Sequence, residues 1–438
     1  MRFKGSVLAF AGAALLAWGS SVEAETFLDS SYGTPTGAAL GRSAAMGATG
    51  VALHHGSQSL IHNPALLALG AAGHLHADFR FGVSLRSEDR LVPLFDSFES
   101  FVDETTIATN RNTYADAQGG VVWYLPSALP MGVSVGVYER YDFDFNYDEE
   151  VRHPTPFPGP DRDALLGENK WDTEGVLRSL SAGYGAQVVD HVNIGFTVHR
   201  YFGNVERLRQ VTFFQSGGSI TETIRRDLTG WGWSVGGYGK VTDHLDLGVA
   251  FEGAFTVDGD HAYRLVDTGA VPEDVEVSRQ DEVRYPETLS FGLSYRPQNT
   301  LATVFSLEAT HRFWENLEDD FRTDVLADTF ALRDTWDFRL GLEHVFYNGL
   351  PVRFGFRYLE GYEDRESERT IFSAGIGYLV EGFRFDVTGL YHRQTSRQPF
   401  LFDPSFVDSD GNNYPVPDGD TKVEDSIVEL IFAVSRQF

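Results

Sequence analysis

The chain has 438 residues, a net charge of −28 and no cysteine. The absence of cysteine excludes disulfides and cysteine-ligated metal sites, and the acidic balance argues against nucleic-acid binding, which needs a basic face. Aromatic residues make up 13% of the sequence, although the mean hydropathy is only −0.22. Abundant aromatics within a polar average are typical of a membrane β-barrel, whose lipid face is apolar while its lumen and loops are polar.

The first residues of the chain have the features of a secretory signal. Arg2 and Lys4 precede an apolar run over 7–18, which is shorter than the about 20 residues that span a bilayer as a helix. Val22-Glu23-Ala24 then places small residues where a signal peptidase reads them. The sequence therefore predicts a signal peptide over 1–24, with an uncleaved membrane anchor as the alternative.

The next segment, 25–73, shows no alternation of polar and apolar side chains and is rich in glycine, alanine and serine. This composition predicts small helices joined by glycines, which pack closely in a confined space. Asn63-Pro64 indicates a turn or the start of a helix. We expect this segment to form a separate N-terminal unit before a barrel domain over 74–438.

From residue 74 onward, polar and apolar side chains alternate, as in β-strands with one apolar face. In 131–148 the odd positions are mostly apolar or aromatic and the even positions are mostly small, polar or charged. About fourteen segments show this pattern, and most exceed the about nine to eleven residues of a spanning strand. Their spans are 74–87, 112–125, 131–148, 173–189, 192–209, 220–240, 245–265, 283–297, 302–316, 334–346, 352–363, 369–379, 383–394 and 424–438.

The predicted connections alternate between short turns and long loops, as they do in outer-membrane barrels. The long loops are 88–111, with a helical piece over 97–106, and 149–172, 210–219, 266–282, 317–333 and 395–423. The last predicted strand ends on Phe438, and a final amphipathic strand with a terminal aromatic resembles the signal read by barrel-assembly machinery. The sequence thus predicts an all-β transmembrane protein, a roughly 14-stranded antiparallel outer-membrane β-barrel of a Gram-negative bacterium. A soluble β-sandwich, the alternative, favours strands of about five to six residues.

The hatch segment carries motifs of a known family. Leu40-Gly41-Arg42 is followed by 47–52 and then by Asn63-Pro64-Ala65-Leu66. In order, spacing and position before the first strand, these motifs resemble the FadL/TodX family of outer-membrane transporters for hydrophobic compounds such as long-chain fatty acids. The resemblance implies that 25–73 is a small N-terminal helical hatch in the lumen, which plugs a 14-stranded barrel. Its motif residues here are Gly41, Arg42, Gly47, Asn63, Pro64 and Ala65.

The resemblance also implies passive uptake of a greasy ligand. The ligand is captured among the external loops, reaches a lumen pocket touched by the N-terminal tip, and leaves sideways through a gap in the wall near the third strand. By position, Phe27 and Leu28 form the tip, although they equally fit packing of the hatch against the wall. Gly132 and Gly136 of the third strand fit either a kink at the gap or small lumen residues that face the hatch.

Several arginines occupy positions of the predicted strands whose side chains face the lumen. A fatty-acid carboxylate favours an arginine, which binds it through two hydrogen bonds. The candidate ligand-binding arginines are Arg140, Arg339 and Arg357. The alternative for each is an internal ion pair that ties the hatch to the wall.

Two sequence patterns suggest chemistry that the context does not support. The segments 132–136 and 232–236 fit G-x-S-x-G, but a nucleophile elbow needs a strand-turn-helix context and both lie in predicted strands. His54, His55 and His62 have no accompanying carboxylate pattern, so we expect them to hydrogen-bond the lumen. The sequence predicts a protein that is not an enzyme and has neither a metal nor a cofactor.

Three functions remain open: a transporter of hydrophobic compounds, an accessory outer-membrane barrel of a protein-secretion system, and a general porin. A plugged lumen argues against the porin, which keeps an aqueous channel. Aromatic residues in the predicted loops suit ligand capture and protein docking alike. The expected partners are a hydrophobic small molecule, outer-membrane lipid and lipopolysaccharide, with the protein itself as a monomer.

Overall fold

The structure is a computed structural model. It describes residues 26, 28–37, 39–95, 98, 100–152, 165–214, 217–269, 272–298, 302–326, 331–363, 367–398 and 421–438. The predicted signal peptide, Phe27 and most of the predicted loop over 395–423 lie outside the described residues.

Fourteen antiparallel strands form a closed barrel. Sequence neighbours pair along the wall, and the last strand pairs with the first from Lys422↔Leu91 to Gln437↔His76. This closure satisfies the backbone groups that an open sheet edge would leave unpaired in lipid. The predicted fold class and strand number are confirmed. The strands are β1 Leu75–Phe95, β2 Phe101–Tyr124, β3 Met131–Asp142 with Phe145–Arg152, β4 Leu165–Val189, β5 Val192–Phe213, β6 Gly218–Lys240, β7 Leu245–Glu252 with Phe255–Asp267, β8 Glu273–Tyr285 with Thr288–Tyr295, β9 Ala302–Arg312, β10 Thr335–Val345, β11 Pro351–Leu359, β12 Arg369–Val380, β13 Phe383–Gln398 and β14 Thr421–Gln437.

The outward faces of the strands carry an apolar belt. Phe354, Leu340 and Phe432 are 54%, 44% and 50% exposed, whereas the inward-facing Arg353 and Arg339 are buried. A continuous belt of exposed apolar side chains around a polar interior is the surface that a barrel presents to lipid. Among the described residues, no helix is long and apolar enough to span a bilayer.

Several segments predicted as long loops are extensions of the strands. β1 and β2 form one tall hairpin that pairs beyond Arg90↔Ala108, so the helix predicted over 97–106 is wrong from Phe101 onward. β4 and β5 likewise pair as far as Gly167↔Phe213. In these extensions polar side chains occupy both faces, and Glu88 and Arg90 are buried at 1% and 2% exposure. The polar–apolar alternation that reveals a lipid-spanning strand therefore disappears while the backbone pairing continues.

The hatch consists of short helices inside the barrel, as predicted. They are α1 Asp29–Tyr32, α2 Gly41–Ala45 and α3 Ser59–His62, with 3-10 turns at Gly56–Gln58 and Pro64–Leu69. Asn63 caps the second turn, because its Oδ1 accepts a hydrogen bond of 3.1 Å from the backbone N–H of Ala65 and Pro64 occupies the first position.

Strand β3 departs from regular pairing at its centre. It pairs with β2 only over Gly132–Val137 and is interrupted at Phe143–Asp144. Its register with β4 shifts between Glu139 and Tyr141, which leaves Arg140 as the extra residue of a β-bulge. β3 thus has a free edge towards β2 beyond Val137.

The bulge also changes the face to which the odd positions of β3 belong. Val133 and Val135 are 42% and 43% exposed on the lipid side, whereas Tyr141 and Phe143 are 5% and 1% exposed and belong to an apolar cluster inside the barrel. The single apolar face predicted for 131–148 is therefore wrong. The sequence pattern does not reveal the inserted residue, because Tyr141 and Phe143 are apolar in either orientation.

Candidate functional site

The N-terminal segment covers the free edge of β3. A two-residue strand, Thr34–Pro35, pairs with Asp142 and Tyr141 on the edge that β2 leaves open. Thr36 extends this contact, since its backbone N–H donates to the Arg140 carbonyl at 3.1 Å and its hydroxyl to the Glu139 carbonyl at 2.6 Å. These bonds occupy backbone groups of β3 that β2 does not reach.

The opening between β2 and β3 has limits above and below. On the side of the short turns, backbone pairing resumes at Gly119↔Val137. On the outer side, side chains bridge the two strands, with the Tyr114 hydroxyl donating to Asn146 Oδ1 at 2.6 Å. The gap in the wall thus lies at the bulge of the third strand, where the N-terminal segment reaches it.

An apolar cluster fills the lumen next to this gap. Its aromatic rings stack closely, with centroids 4.0 Å apart for Tyr201 and Phe255 and 5.0 Å apart for Phe255 and Tyr285. Tyr32 of α1 belongs to the cluster, and Leu28 packs against it. The cluster comprises Tyr32, Tyr141, Phe143, Leu177, Tyr201, Val205, Leu228, Phe255, Val257, Val283, Tyr285, Trp314, Leu317 and Tyr362. Leu28 therefore lies where the predicted tip of the N-terminal segment meets apolar lumen residues.

The start of the N-terminal segment is anchored by a carboxylate of the β11–β12 connection. Glu363 Oε1 accepts a hydrogen bond of 2.9 Å from the backbone N–H of Leu28 and another from the Thr26 hydroxyl. The Tyr362 hydroxyl donates to Asp29 at 2.7 Å. Burial and the neighbouring Asp29 raise the pKa of Glu363 to about 7.

Two of the three candidate arginines are engaged in internal ion pairs. Arg140 binds both carboxylate oxygens of Glu252, at 2.8 and 2.7 Å. Arg339 donates to Glu308 Oε1 at 2.7 Å. The other oxygen of Glu308 accepts the backbone N–H groups of Gly50 at 2.9 Å and Val51 at 3.0 Å, so this pair ties the hatch to the wall. Arg140 and Arg339 thus each have a carboxylate partner inside the barrel, and within the described residues only the Arg339–Glu308 pair also bonds the hatch through its side chains.

The third candidate, Arg357, differs from the other two. It is 9% exposed, its Nε is buried without an acceptor, and no ion pair involves it within the described part of the chain. It lines a small cavity together with the N-terminal segment.

The hatch-motif residues serve contacts within the plug and with the wall. A Cβ on Gly41 would lie 2.6 Å from that of Ala433, and Gly47 has a φ of +66° and would approach the Leu340 carbonyl oxygen to 2.6 Å. Asn63 Nδ2 donates to the carbonyls of Val51 and Gly237 at 2.7 and 2.9 Å. These are close approaches that only small or capping residues allow.

Gly132 and Gly136 lie in the regularly paired part of β3. A Cβ on Gly132 would lie 2.2 Å from the Leu67 carbonyl oxygen of the hatch, and one on Gly136 would meet the Tyr138 ring at 2.5 Å. Both positions fit small lumen residues, and the interruption of the strand lies further along. Glu139 is the sequence feature that indicates the interruption of β3, because it is a charged residue on an otherwise apolar face.

The patterns that suggested chemistry belong to strands and to the plug. Ser134 of β3 donates to the Val121 carbonyl at 2.9 Å, and the second G-x-S-x-G lies within β6. His54 Nε2 lies 2.9 Å from the Tyr124 hydroxyl of β2, a bond to the lumen wall. Among the described residues, no three or more histidine, aspartate or glutamate side chains are placed to hold a metal ion.

Cavities of different sizes lie in the described part of the lumen. A cavity of about 550 Å³ lies on the side of the short turns and is lined by Arg42, His54 and Arg384 among others. Cavities of about 70 and 30 Å³ flank the N-terminal segment at Pro35 and Gly37. The hatch separates the larger cavity from the small pair.

A closed barrel with an apolar belt and a helical plug in its lumen is a transmembrane protein of the bacterial outer membrane. No family model matches the sequence, and no curated protein matches it. Solved structures match the fold. A FadL homologue from Pseudomonas aeruginosa has a TM-score of 0.63 at 14% identity, covering 93% of this chain and 99% of that one.

Two hydrocarbon channels have the same architecture. The toluene transporter TodX of P. putida has a TM-score of 0.60 at 15% identity and covers 91% of this chain and 98% of its own. The CymD monoaromatic hydrocarbon channel has a TM-score of 0.57 at 14% identity, with coverages of 92% and 99%. This protein shares the fold of these FadL and TodX channels, as its hatch motifs predicted.

Proposed function

We propose that this protein carries hydrophobic compounds, such as long-chain fatty acids, passively across the outer membrane. The observation that carries the proposal is the gap between β2 and β3, covered from within by Thr34–Pro35 and bordered by an apolar cluster that includes Tyr141. The likeness in fold to a FadL homologue and to a toluene transporter supports it.

The path begins among the outer strand extensions and leads to the apolar cluster. Because Tyr32 and Leu28 pack there, a ligand that enters the cluster displaces the N-terminal segment. Displacement removes the bonds of Thr34 and Thr36 to β3, and the gap in the wall opens to lipid. Lateral exit is favourable, since an apolar solute gains free energy when it leaves water for hydrocarbon.

The test is uptake of labelled oleate by cells that lack their own fatty-acid importer. We expect uptake that depends on this protein and is lost when 25–35 are deleted. A sharper variant deletes Arg140, the extra residue of the bulge, to restore regular pairing of β3. The matched control, Arg140→Ala, loses the same bond to Glu252 but keeps the bulge.

We expect the deletion of Arg140 to abolish uptake and Arg140→Ala to retain most of it. Heat-modifiable mobility on gels reports whether each barrel is folded in the outer membrane. Equal uptake by a folded deletion variant and the wild type would contradict lateral exit at this gap. No uptake by the folded wild-type protein, with oleate and toluene alike, would contradict the transport function.

An accessory role in protein secretion is the second candidate. The tip of the β1–β2 hairpin exposes Phe98 and Phe101 to 86% and 61%, a pair of aromatics suited to protein docking. Cross-linking from residue 98, followed by identification of the linked protein, tests it. If cells without this protein secrete normally, no partner is cross-linked and oleate uptake depends on this protein, the secretion role is excluded and the transport function stands.

A further inference from the structure

The connection from β9 to β10 folds back into the barrel. After the end of β9, a 3-10 turn at Trp314–Asn316 is followed by the two-residue strand Glu318–Asp319. This short strand pairs with Val283 and Arg284 of β8. Residues 313–326 thus form a segment inside the barrel, which we call the inner loop.

Large apolar side chains fix the position of the inner loop. Trp314 and Leu317 are buried and belong to the apolar cluster. Phe321 is fully buried and stacks on the ring of His261 of β7, with ring centroids 3.5 Å apart. Burial of apolar surface is the main favourable term in packing, so the inner loop has a defined seat in the lumen.

The inner loop lies on the outer side of the apolar cluster. Because β7 runs outward from the short turn before Leu245, His261 lies roughly 20 Å beyond Phe255 along the strand. Phe321, which stacks on His261, therefore lies further out than the ring of Phe255. Val257 and Phe255 of the cluster are 0% and 3% exposed, so neither water nor a ligand reaches them while the inner loop is in place.

Polar contacts hold the inner loop to the wall. Arg226 of β6 donates from Nη2 to Asp319 Oδ2 at 3.1 Å and from Nε to His261 Nε2 at 3.0 Å, and both Arg226 and Asp319 are buried. Arg279 of β8 contacts Asp324 at 3.2 Å. Because loss of one partner of a buried ion pair is strongly destabilising, the bond between Arg226 and Asp319 is the strongest polar link of the inner loop to the wall.

Release of the inner loop would leave the barrel closed. β9 and β10 pair directly with each other from Ala302↔Val345 to Arg312↔Thr335, so the wall does not depend on the residues between these strands. Within the described residues, the short strand of the inner loop pairs with two residues of β8. The inner loop can therefore move with little loss of backbone pairing.

We propose that the inner loop is a lid over the outer entrance of the apolar cluster, held closed by the Arg226–Asp319 pair and by the seat of Phe321 on His261. A ligand that arrives from outside enters the cluster when Phe321 leaves this seat. The inference rests on the proposed transport function and adds a second gate to it. This gate lies on the outer side of the cluster, apart from the wall gap that Thr34–Pro35 covers.

A reversible disulfide tests whether the inner loop must move. The chain has no cysteine, so Arg284→Cys with Glu318→Cys introduces a single bridge between β8 and the inner loop. The two positions are cross-strand partners, whose Cα atoms are about 4.5–5.5 Å apart, within the about 4.4–6.8 Å that a disulfide spans. In cells that lack their own fatty-acid importer, we expect the oxidised variant to take up oleate at least about tenfold more slowly than the wild type. Reduction of the bridge should restore the wild-type rate.

The matched control is a bridge between two strands of the wall. Glu206→Cys with Arg225→Cys replaces the same two residue types at cross-strand partners of β5 and β6, and both side chains are exposed, as they are at the test pair. This bridge should leave uptake unchanged in both redox states. Heat-modifiable mobility on gels confirms that each barrel is folded.

Thiol labelling of the apolar cluster measures the lid without reference to transport. Val257→Cys places one thiol in the cluster, and a small water-soluble maleimide is added to whole cells. When Phe321→Ala or Asp319→Asn is combined with it, the thiol should react at least about tenfold faster than in Val257→Cys alone. Asp324→Asn changes an exposed pair with Arg279 on the same inner loop and should alter the rate by less than about twofold.

The possible outcomes separate the lid from the proposed function. Undiminished uptake by the oxidised Arg284→Cys, Glu318→Cys variant would overturn the lid and leave hydrophobic transport intact. Uptake that stays low after reduction would also overturn it, because the bridge would then not be the cause. The same holds for equal labelling of Val257→Cys with and without Phe321→Ala. Faster labelling with Phe321→Ala, together with no uptake by the folded wild type, would retain the lid and contradict the transport function.

Discussion

Arg42 of the hatch binds Glu343 of β10 through two parallel hydrogen bonds, Nη2 to Oε1 at 2.6 Å and Nε to Oε2 at 2.9 Å. Glu343 also accepts a bond of 2.6 Å from Arg353, and Arg353 in turn binds Asp386 at 2.7 Å. The hatch is therefore joined to the wall by a charged network in which Arg353 is fully buried and Arg42 is partly exposed.

Replacing Arg42 should loosen the hatch without unfolding the barrel. We expect Arg42→Ala to cost about 2 kcal/mol, less than full removal of a buried ion-pair partner, because Glu343 keeps Arg353. The measurement is conductance in planar lipid bilayers, which should rise in the variant. Arg225→Ala breaks an exposed pair worth at most about 1 kcal/mol and should leave conductance at the wild-type level. Equal conductance of the wild type, Arg42→Ala and Arg225→Ala would refute the anchoring role of Arg42.

Gly47 should tolerate no side chain. It has a φ of +66°, and a Cβ there would lie 2.6 Å from the Leu340 carbonyl oxygen, a backbone atom fixed in the sheet. We expect Gly47→Val to displace α2, seen as faster hydrogen–deuterium exchange over 39–69.

Gly37 provides the matched control for that substitution. Its φ is +69°, yet nothing lies within 4 Å of an added Cβ. Gly37→Val therefore incurs only the backbone strain, about 1–2 kcal/mol. If both variants exchanged equally fast, the close approach of Gly47 to the wall would have no role.

The anchoring of the N-terminal segment should depend on pH through Glu363. Its pKa in the folded protein is about 7, above the ordinary 4.5, so the folded state binds more protons between these values. Anchoring is therefore strongest below pH 4.5 and weakens as the pH rises through about 7. Exchange of residues 28–37 should be faster at about pH 8.5 than at about pH 5, after correction for intrinsic rates.

The substitution Glu363→Gln tests whether the carboxyl of Glu363 causes this pH dependence. The amide oxygen still accepts the Leu28 N–H and carries no charge against Asp29, so the difference between the two pH values should disappear. A pH dependence that persists in the variant would assign the effect to another group.

A charged residue on the lipid face should lower the free energy of unfolding of the barrel. Phe354 is 54% exposed on the outer face of β11, and an arginine there would face hydrocarbon at a cost of about 2–4 kcal/mol near the bilayer midplane. Equilibrium unfolding in urea with lipid vesicles measures the cost of Phe354→Arg. Ser278→Arg, at an exposed position on the outer part of β8, should cost little, and equal small effects would contradict the location of the belt.

The number of strands was predictable because the lipid face and the lumen impose opposite polarity on successive residues. The prediction fails where that constraint ends, because the extension of β1 to Phe95 and of β2 from Phe101 continues beyond the segments with polar–apolar alternation. The hatch was predictable from its composition and its motif for a similar reason, since a plug inside a barrel requires small residues and close backbone contacts.

The sequence by itself thus determined a closed barrel and its strand order, because these follow from local periodicity, and its hatch motifs indicated the plug. Only the tertiary structure decided which arginines are neutralised. Arg140, Arg339 and Arg357 all occupy lumen-facing positions in the sequence pattern, but Arg140 pairs with Glu252 of β7 and Arg339 with Glu308 of β9, whereas Arg357 makes no ion pair within the described part of the chain. The tertiary structure likewise decided the position of the wall gap, because a one-residue bulge at Arg140 is defined by register against β4 and by the N-terminal strand that pairs with β3.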